Sequence, residues 1–386
     1  MNPPAPNHKS YRITSRANDL YERHLYAEAA AEYTKAIEGA ADSSRDYLAL
    51  LYSNRSSSFL RSYQYKIARH DATRAIQLAP MWSKAYFRYA DATAKLGDYK
   101  EAMNYYQKAL EKDPENAKFI STRIAKTIID QDNSSMGFNI LQIISGRDIC
   151  VERNFRNPIQ NRIYEFANHM RNIIHVIVDN DTKQCVVVDA CWDVDGILRI
   201  IDEHGYNLVA AIVTHSHFDH VGGSPPALFA FPIKISGLST LLKRVPHIKA
   251  YVHSDDIDEI LQHNPSIPPN RIAPTCTAVT ETLTVGKTTL RFLHTPGHTP
   301  GSQSVLIQES RLIAGDTLLC GLCGRTDLPG GNRKVMEHTL RYTLGKLDDR
   351  VVVYPGHHYG SEWSTIGIER DKGCLGEDLV GFGMHP

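Results

Sequence analysis

The chain has 386 residues, with 43 Lys plus Arg against 43 Asp plus Glu, so its formal net charge at neutral pH is zero. That balance removes the general electrostatic case for nucleic acid or an anionic membrane surface as partner. At 42% hydrophobic and 22% charged residues the composition is that of an ordinary globular protein, and the length exceeds one typical domain. The opening MNPPAPNHKS is polar and Pro-rich, and no apolar run approaches the roughly 20 residues of a membrane helix. Seven cysteines spread from Cys150 to Cys374 make no disulfide framework in a chain this long. The expectation is a soluble, cytoplasmic protein in a reducing compartment.

The first third repeats. YAEAAAEYTKAI from Tyr26 aligns with YKIARHDATRAIQLAP from Tyr65 and YKEAMNYYQKALEKDP from Tyr99. Ala29, Ala68 and Ala102 fall in one register, Ala36, Ala75 and Ala109 in another, and Pro80 and Pro114 close the later units. The units are offset by 39 and then 34 residues, which implies a five-residue insertion around Ala41 to Arg45. Small residues at fixed places let paired helices approach closely, and each pair buries its apolar face on the next. This pattern resembles the tetratricopeptide repeat, so residues 1–130 are expected to form an α solenoid of three repeats with a capping helix over 116–130. A polar linker is expected near 131–135, within a 131–160 stretch that leads into the next domain.

In detail the array is similar to co-chaperone repeats that hold the C-terminal EEVD tail of heat-shock chaperones in a carboxylate clamp. The resemblance implies that Asn18, Asn54, Lys84 and Arg88 bind such a peptide. Lys84 and Arg88 at i and i+4 share a helix face, and the asparagines can bond the backbone of an extended peptide. Thr14 stands where that family has a further Lys.

From residue 161 to 386 the pattern changes to short β-branched runs, IIHVIVD, CVVVDA, LVAAIVTH, TTLRFLHT, QSVLIQ, RLIAGD and RVVVYPG, with helical stretches between them. The strongest single motif is THSHFDH, directly after LVAAIV, which puts His215, His217, Asp219 and His220 within six positions of a loop. Alternating side chains there can face two metal ions, and imidazole with carboxylate suits zinc, iron or manganese. His298 in HTPGHTPGS, Asp316 in AGDTL and His357 in YPGHHYG are three more ligand candidates at strand ends.

Together these motifs resemble the metallo-β-lactamase superfamily over residues 161–360, which implies an αββα sandwich and a dinuclear site. The resemblance assigns one metal to His215, His217 and His298, a second to Asp219, His220 and His357, and a bridge to Asp316. Asp219 also carries the catalytic assignment. Two divalent ions, zinc first and iron second, would lower the pKa of a bridging water towards neutrality and polarise a carbonyl. His253, His294 and His358 match no ligand position. Cys320 and Cys323 have CxxC spacing but not the helix N-terminus that a redox pair of the thioredoxin kind needs.

Within the superfamily the motifs are most similar to glyoxalase II and its hydroxyacylglutathione hydrolase relatives, which implies a metal-dependent thioester hydrolase. Only 26 residues follow Gly360, where glyoxalase II has a longer helical segment that helps to hold glutathione, so a different thioester or acyl substrate stands as an alternative to the glutathione thioester. The short tail and GRTD, which holds Arg325 and Asp327 as candidate substrate-binding residues, are closer to iron-dependent persulfide dioxygenases of the same fold. For those the resemblance implies one iron on His215, His298 and Asp316. A third alternative is a chaperone-binding adaptor with a vestigial enzyme domain, against which the complete ligand set argues. Residues 223–250 look inserted after the metal loop, as a lid or a peripheral helix.

Overall fold

The computed structural model describes residues 8–40, 43–150, 157–225, 233–276, 281–376 and 379. The chain divides into two units, Met1–Met136 and Gly137–Pro386. Among the described residues no helix is long and apolar enough to cross a membrane.

The first unit consists of α1 (His8–Glu22), α2 (Tyr26–Glu38), α3 (Arg45–Arg61), α4 (Tyr65–Leu78), α5 (Ser83–Lys95), α6 (Tyr99–Lys112) and α7 (Ala117–Ser135), each packed on the next. All six register alanines, Ala29, Ala36, Ala68, Ala75, Ala102 and Ala109, are fully buried. A methyl group at these points lets helix axes approach closely, and Tyr33, Leu51, Tyr106 and Ile120 fill the space between layers. Ser44 and Asp98 cap α3 and α6 by accepting Tyr47 and Glu101 backbone N–H groups. Gly97, at φ 85°, supplies the left-handed residue that ends α5. Ala41 and Asp42, in the inferred insertion, lie outside the described residues.

The expected boundary moves. Residues 131–135 are not a linker but the last turn and more of α7, where Asn133 is fully buried. The second unit starts with β1 (Phe138–Ile144), inside the 131–160 stretch expected to hold the start of the next domain, because the apolar run FNILQII pairs along its whole length with the next strand.

That unit continues through α8 (Pro158–Met170), β2 (Ile173–Asp179), β3 (Gln184–Val188), α9 (Val194–Glu203), β4 (Asn207–Ile212), α10 (Phe218–Val221), α11 (Leu238–Arg244), β5 (Lys249–His253), α12 (Ile257–His263) and β6 (Ile272–Thr275). It ends with β7 (Thr282–Val285), β8 (Thr288–His294), β9 (Gln303–Ile307), β10 (Arg311–Gly315), α13 (Arg333–His338), β11 (Val352–Pro355), β12 (Ser364–Thr365) and α14 (Ile366–Asp371). One six-stranded sheet runs β1-β2-β3-β4-β5-β6 and the other β12-β11-β10-β9-β8-β7. Strands β2, β9 and β10 are buried along their length, as strands covered on both faces must be. Gln303 joins the sheets by donating to Val213 O at 2.7 Å and accepting from Thr275 Oγ1 at 2.6 Å. Helices α9 and α11 cover β4 and β5, while α13 contributes Met336 to the core of the second sheet, giving the expected αββα layering. Within the inserted segment, residues 226–232 lie outside the described residues, and the remainder includes the Gly223–Ile235 bridge, α11, with Leu238, Leu241 and Leu242 buried, and the start of β5.

The buried charge in the repeats supplies a test of packing. Asp71 is fully buried and takes two bonds from Arg55, Nε at 2.7 Å and Nη2 at 2.8 Å. Asp71→Ala should destabilise the first unit by about 1.5–3 kcal/mol, because the partly buried guanidinium loses two charge-assisted hydrogen bonds. Thermal unfolding should show the transition of this unit shifted down while the second unit's stays in place.

Candidate metal centre

Every residue of the expected ligand set follows a strand. His215, His217, Asp219 and His220 come after β4, His298 after β8, Asp316 after β10 and His357 after β11. Fully paired strands fix these ends, and the polar side chains converge where pairing stops. Two glycines of the motifs permit the approach: a Cβ on Gly315 would meet Thr214 at 2.7 Å, and one on Gly356 would strike the Asp316 carboxylate.

The donors fall into three groups whose ligand atoms lie within 4.8 Å of one another: His215, His217 and His298; His215, His220 and Asp316; and Asp219, His220 and His357. His357 Nε2 lies 3.1 Å from Asp316 and 3.5 Å from Asp219. His298 Nε2 lies 3.6 Å from Asp316. The structure therefore brings all seven residues together. The buried atoms His215 Nε2, His298 Nε2 and Asp316 Oδ1 have no hydrogen-bond partner among the described residues. Buried polar groups are rarely left so, and imidazole nitrogens facing a carboxylate oxygen fit a divalent cation.

The outward nitrogens are engaged. His298 Nδ1 donates to Arg325 O at 2.7 Å, His357 Nδ1 to Met170 O at 2.7 Å and His220 Nδ1 to Asp189 Oδ2 at 2.8 Å. His215 Nδ1 meets Thr214 Oγ1 at 3.0 Å, and that hydroxyl donates to the same Asp189 at 2.7 Å. Each of these bonds turns Nε2 inward, the arrangement that orients histidine ligands.

Electrostatics divides the imidazoles. Burial, then the neighbouring histidines, holds His215 well below its ordinary value, and burial with His298 takes His217 down to about 3. His298 is likewise lowered by burial. Burial also opposes charge on His220, but Asp316, Asp219 and Asp189 outweigh it and push the group up to about 10. His357 rises for the same reason, against burial, chiefly through Asp316. Both carboxylates overcome burial: Asp316 is held well below the usual range by His357 and His220, and Asp219 is lowered by the same two. The pocket keeps its anions and draws positive charge inward.

Several residues of this centre carry no motif. Asp189, in the left-handed region at φ 55°, fixes His220 and the Thr214 backbone N–H. Asn172 donates to Asp219 Oδ2 at 3.0 Å. Asp256 gathers Ser216 N, Thr299 Oγ1 and Gly301 N at 2.9, 2.7 and 2.6 Å, tying the two histidine loops together. The only advance signal was an acid directly after a strand, as in CVVVDA.

Arg325 and Asp327 pair with each other at 2.8 Å as exposed groups, so Arg325 reaches the centre through its carbonyl on His298. Cys320 and Cys323 are free thiols with burial pushing Cys320 up to about 12, which leaves them protonated and unreactive. His253 and His294, with Asp255, form a further group of possible ligands. Their rings are stacked at 3.9 Å and 7° from parallel, and two parallel ring planes cannot both contain one ion. His358 pairs with Arg171 at 2.7 Å.

In the first unit Asn18, Asn54, Lys84 and Arg88 line one cavity of about 150 Å³, with Tyr21, Glu22, Tyr33 and Ser57. Tyr33 OH donates to Asn18 Oδ1 at 2.5 Å, which leaves the Asn18 amino group facing outward as a donor. Arg88 Nε is buried without a partner among the described residues, and partial burial, then the Arg88 charge, lower the Lys84 pKa. Thr14 is buried, donating to Ser10 O at 2.9 Å and meeting Tyr47 OH at 2.8 Å.

The family model described as the metallo-beta-lactamase superfamily matches residues 174–357, and that of the tetratricopeptide repeat matches residues 83–116. The chain is similar to a probable polyketide biosynthesis zinc-dependent hydrolase, BaeB, of Bacillus velezensis: 30% identity over 205 residues, 52% of this chain and 80% of that one. It is 28% identical to the hydroxyacylglutathione hydrolase GloC of Haemophilus influenzae over 50% of this chain and 88% of the relative. It is also 28% identical to the mitochondrial persulfide dioxygenase ETHE1 of Homo sapiens over 51% of this chain and 68% of the relative. With seven metal-type donors converging at the ends of paired strands, the chain belongs to the metallo-beta-lactamase superfamily, preceded by a helical repeat unit of the tetratricopeptide type.

Proposed function

We propose that the second unit is a metal-dependent hydrolase that cleaves a thioester, of the hydroxyacylglutathione hydrolase kind, and that the repeats bind an acidic peptide C-terminus. The enzyme reading rests on one observation: the donors of two adjacent subsites are both complete, with Asp316 reaching each of them. One divalent ion would take His215, His217 and His298, a second Asp219, His220 and His357, with Asp316 common to both and zinc the first choice. Bound ions of this kind make water a nucleophile near neutral pH and polarise a carbonyl. The protein's own residues hold neutral lone pairs on one side, ionised carboxylates on the other, and exclude bulk water from both. The relatives named as a zinc-dependent hydrolase and as a hydroxyacylglutathione hydrolase support this chemistry.

A second reading, iron-dependent persulfide dioxygenation on His215, His298 and Asp316, is favoured by equal identity to ETHE1. Oxygen separates the two. Under anaerobic conditions the purified protein should keep cleaving S-lactoylglutathione or another acyl thioester, since water supplies the oxygen. Oxygen consumption with glutathione persulfide and no thioester cleavage would reverse the assignment.

Metal content tests the centre itself. Two ions per chain are expected, Asp316→Ala should lose or scramble both, and Asp189→Ala should weaken retention about 10–100-fold by releasing His220 and Thr214. Parent metal content in Asp316→Ala, measured by elemental analysis, would remove the dinuclear reading.

For the repeats, two cations and two amides around one cavity suit a terminal carboxylate and a neighbouring acidic side chain. Lys84→Ala or Arg88→Ala should each weaken binding of an EEVD-ending peptide by about 1–3 kcal/mol, roughly ten- to hundredfold in affinity. Buried Thr14 offers no cation, so the parent affinity should fall below that of a clamp with a third one. Calorimetric titration with the peptide and its amidated form checks this, and binding that ignores all three changes would refute it.

A further inference from the structure

After β3 the chain turns through DACWD, and Trp192 sits there at φ 73°. A bulky side chain in the left-handed region is strained, and such strain persists where the surroundings over-determine it, most often at functional sites. The indole is buried, and its Nε1–H donates to Asn172 Oδ1 at 2.8 Å. Asn172 is itself buried.

An amide can be placed either way round, and here only one way is compatible with its neighbours. With Oδ1 taken by the indole, Nδ2 faces Asp219 Oδ2 at 3.0 Å and His220 Nε2 at 3.2 Å. The flipped amide would set its oxygen against the Asp219 carboxylate and its amino group against the indole proton, leaving two repulsions in place of two bonds. The amino group thus contacts two donors of one subsite at once, the Asp219 carboxylate and the His220 ring. The backbone of Asn172 forms a β-bridge with His357. One side chain thus addresses two donors of the Asp219, His220 and His357 group, and its backbone addresses the third.

We propose that Trp192 is a positioning residue for the second metal subsite: its indole proton fixes the Asn172 amide, whose amino group holds the Asp219 carboxylate and the His220 ring in place. This rests on the reading of Asp219, His220 and His357 as a metal subsite. The indole decides whether the centre holds one ion or two, because the His215, His217 and His298 group has no bond to Asn172 among the described residues. Trp192 also packs, edge to face, on Phe218 at 6.5 Å and against Ala167, Cys191, Ile233 and Ile235. A test must therefore separate packing from the proton.

Trp192→Phe keeps an aromatic ring at the same backbone angle and removes the donor, while Asn172→Ala keeps the indole and removes the amide. The full-length parent and both variants are stripped of metal and titrated with Zn²⁺ against a chromophoric chelator. Co²⁺ loading, followed by its visible absorption, reports the two subsites separately. Expected is parent-like affinity for the first ion, about 10–100-fold weaker retention of the second in both variants, and a metal-free melting temperature close to the parent's. Parent affinities for both ions in Trp192→Phe would overturn the proposal while leaving the two-metal reading intact. Equal loss of both ions together with a lowered melting temperature would also overturn it, by making the ring a packing element only. A parent that takes up a single ion would overturn the two-metal reading and this proposal with it.

Discussion

The second unit is organised around a concentration of buried charge that the chain alone does not neutralise. Asp219 and Asp316 stand next to His220, both held below the ordinary carboxylate range despite burial, and Asp189 accepts from the far side of the same ring. Taking such groups out of water is costly unless opposite charge or hydrogen bonds replace the solvent. The fold meets this requirement by ending paired strands of both sheets at one place and by spending Asn172, Thr214 and the Arg325 and Met170 carbonyls on the ligands' outer atoms. Glycines at 315 and 356 are the steric condition for that convergence.

What could be read from the sequence follows from this. THSHFDH and the three later motifs were legible because a ligand's chemistry is written in its residue type and its strand-end position. Asp189, Asn172, Trp192 and Asp256 were not, since an acid, an amide or an indole acquires its role only from a partner far away in the chain, 47 residues in the case of Asn172 and Asp219. The same distinction explains the boundary. FNILQII carries no motif of its own, and its register with β2 makes it the edge strand of the first sheet. Arg325 adds a role that its residue type does not announce, because its backbone carbonyl, not its side chain, meets His298.

The repeats were legible for a different reason. Their fold depends on where side chains are small, and two registers of alanine, each repeated in three units, are visible without knowing any contact. The cavity formed by Asn18, Asn54, Lys84 and Arg88 is a tertiary feature, yet it was partly readable because each residue sits at an equivalent helix face of successive units. Thr14 could not be interpreted in advance: its hydroxyl is part of the α1–α3 contact through Tyr47, so the position has become part of the packing.

The two halves of the metal centre differ in kind. His215, His217 and His298 are held neutral by burial, so their lone pairs are available with no further device. His220 and His357 stand among carboxylates that favour a proton on the very nitrogens a metal would use. A proton and a metal ion compete there, and local donors decide the contest. Asn172 Nδ2 lies 3.2 Å from His220 Nε2, and Asp189 accepts from Nδ1 on the far side of the ring. The first half has outer bonds of its own, from His298 to the Arg325 carbonyl and from His215 to Thr214, whose hydroxyl donates to the same Asp189, so that strained Asp189 serves both halves and strained Trp192 the second.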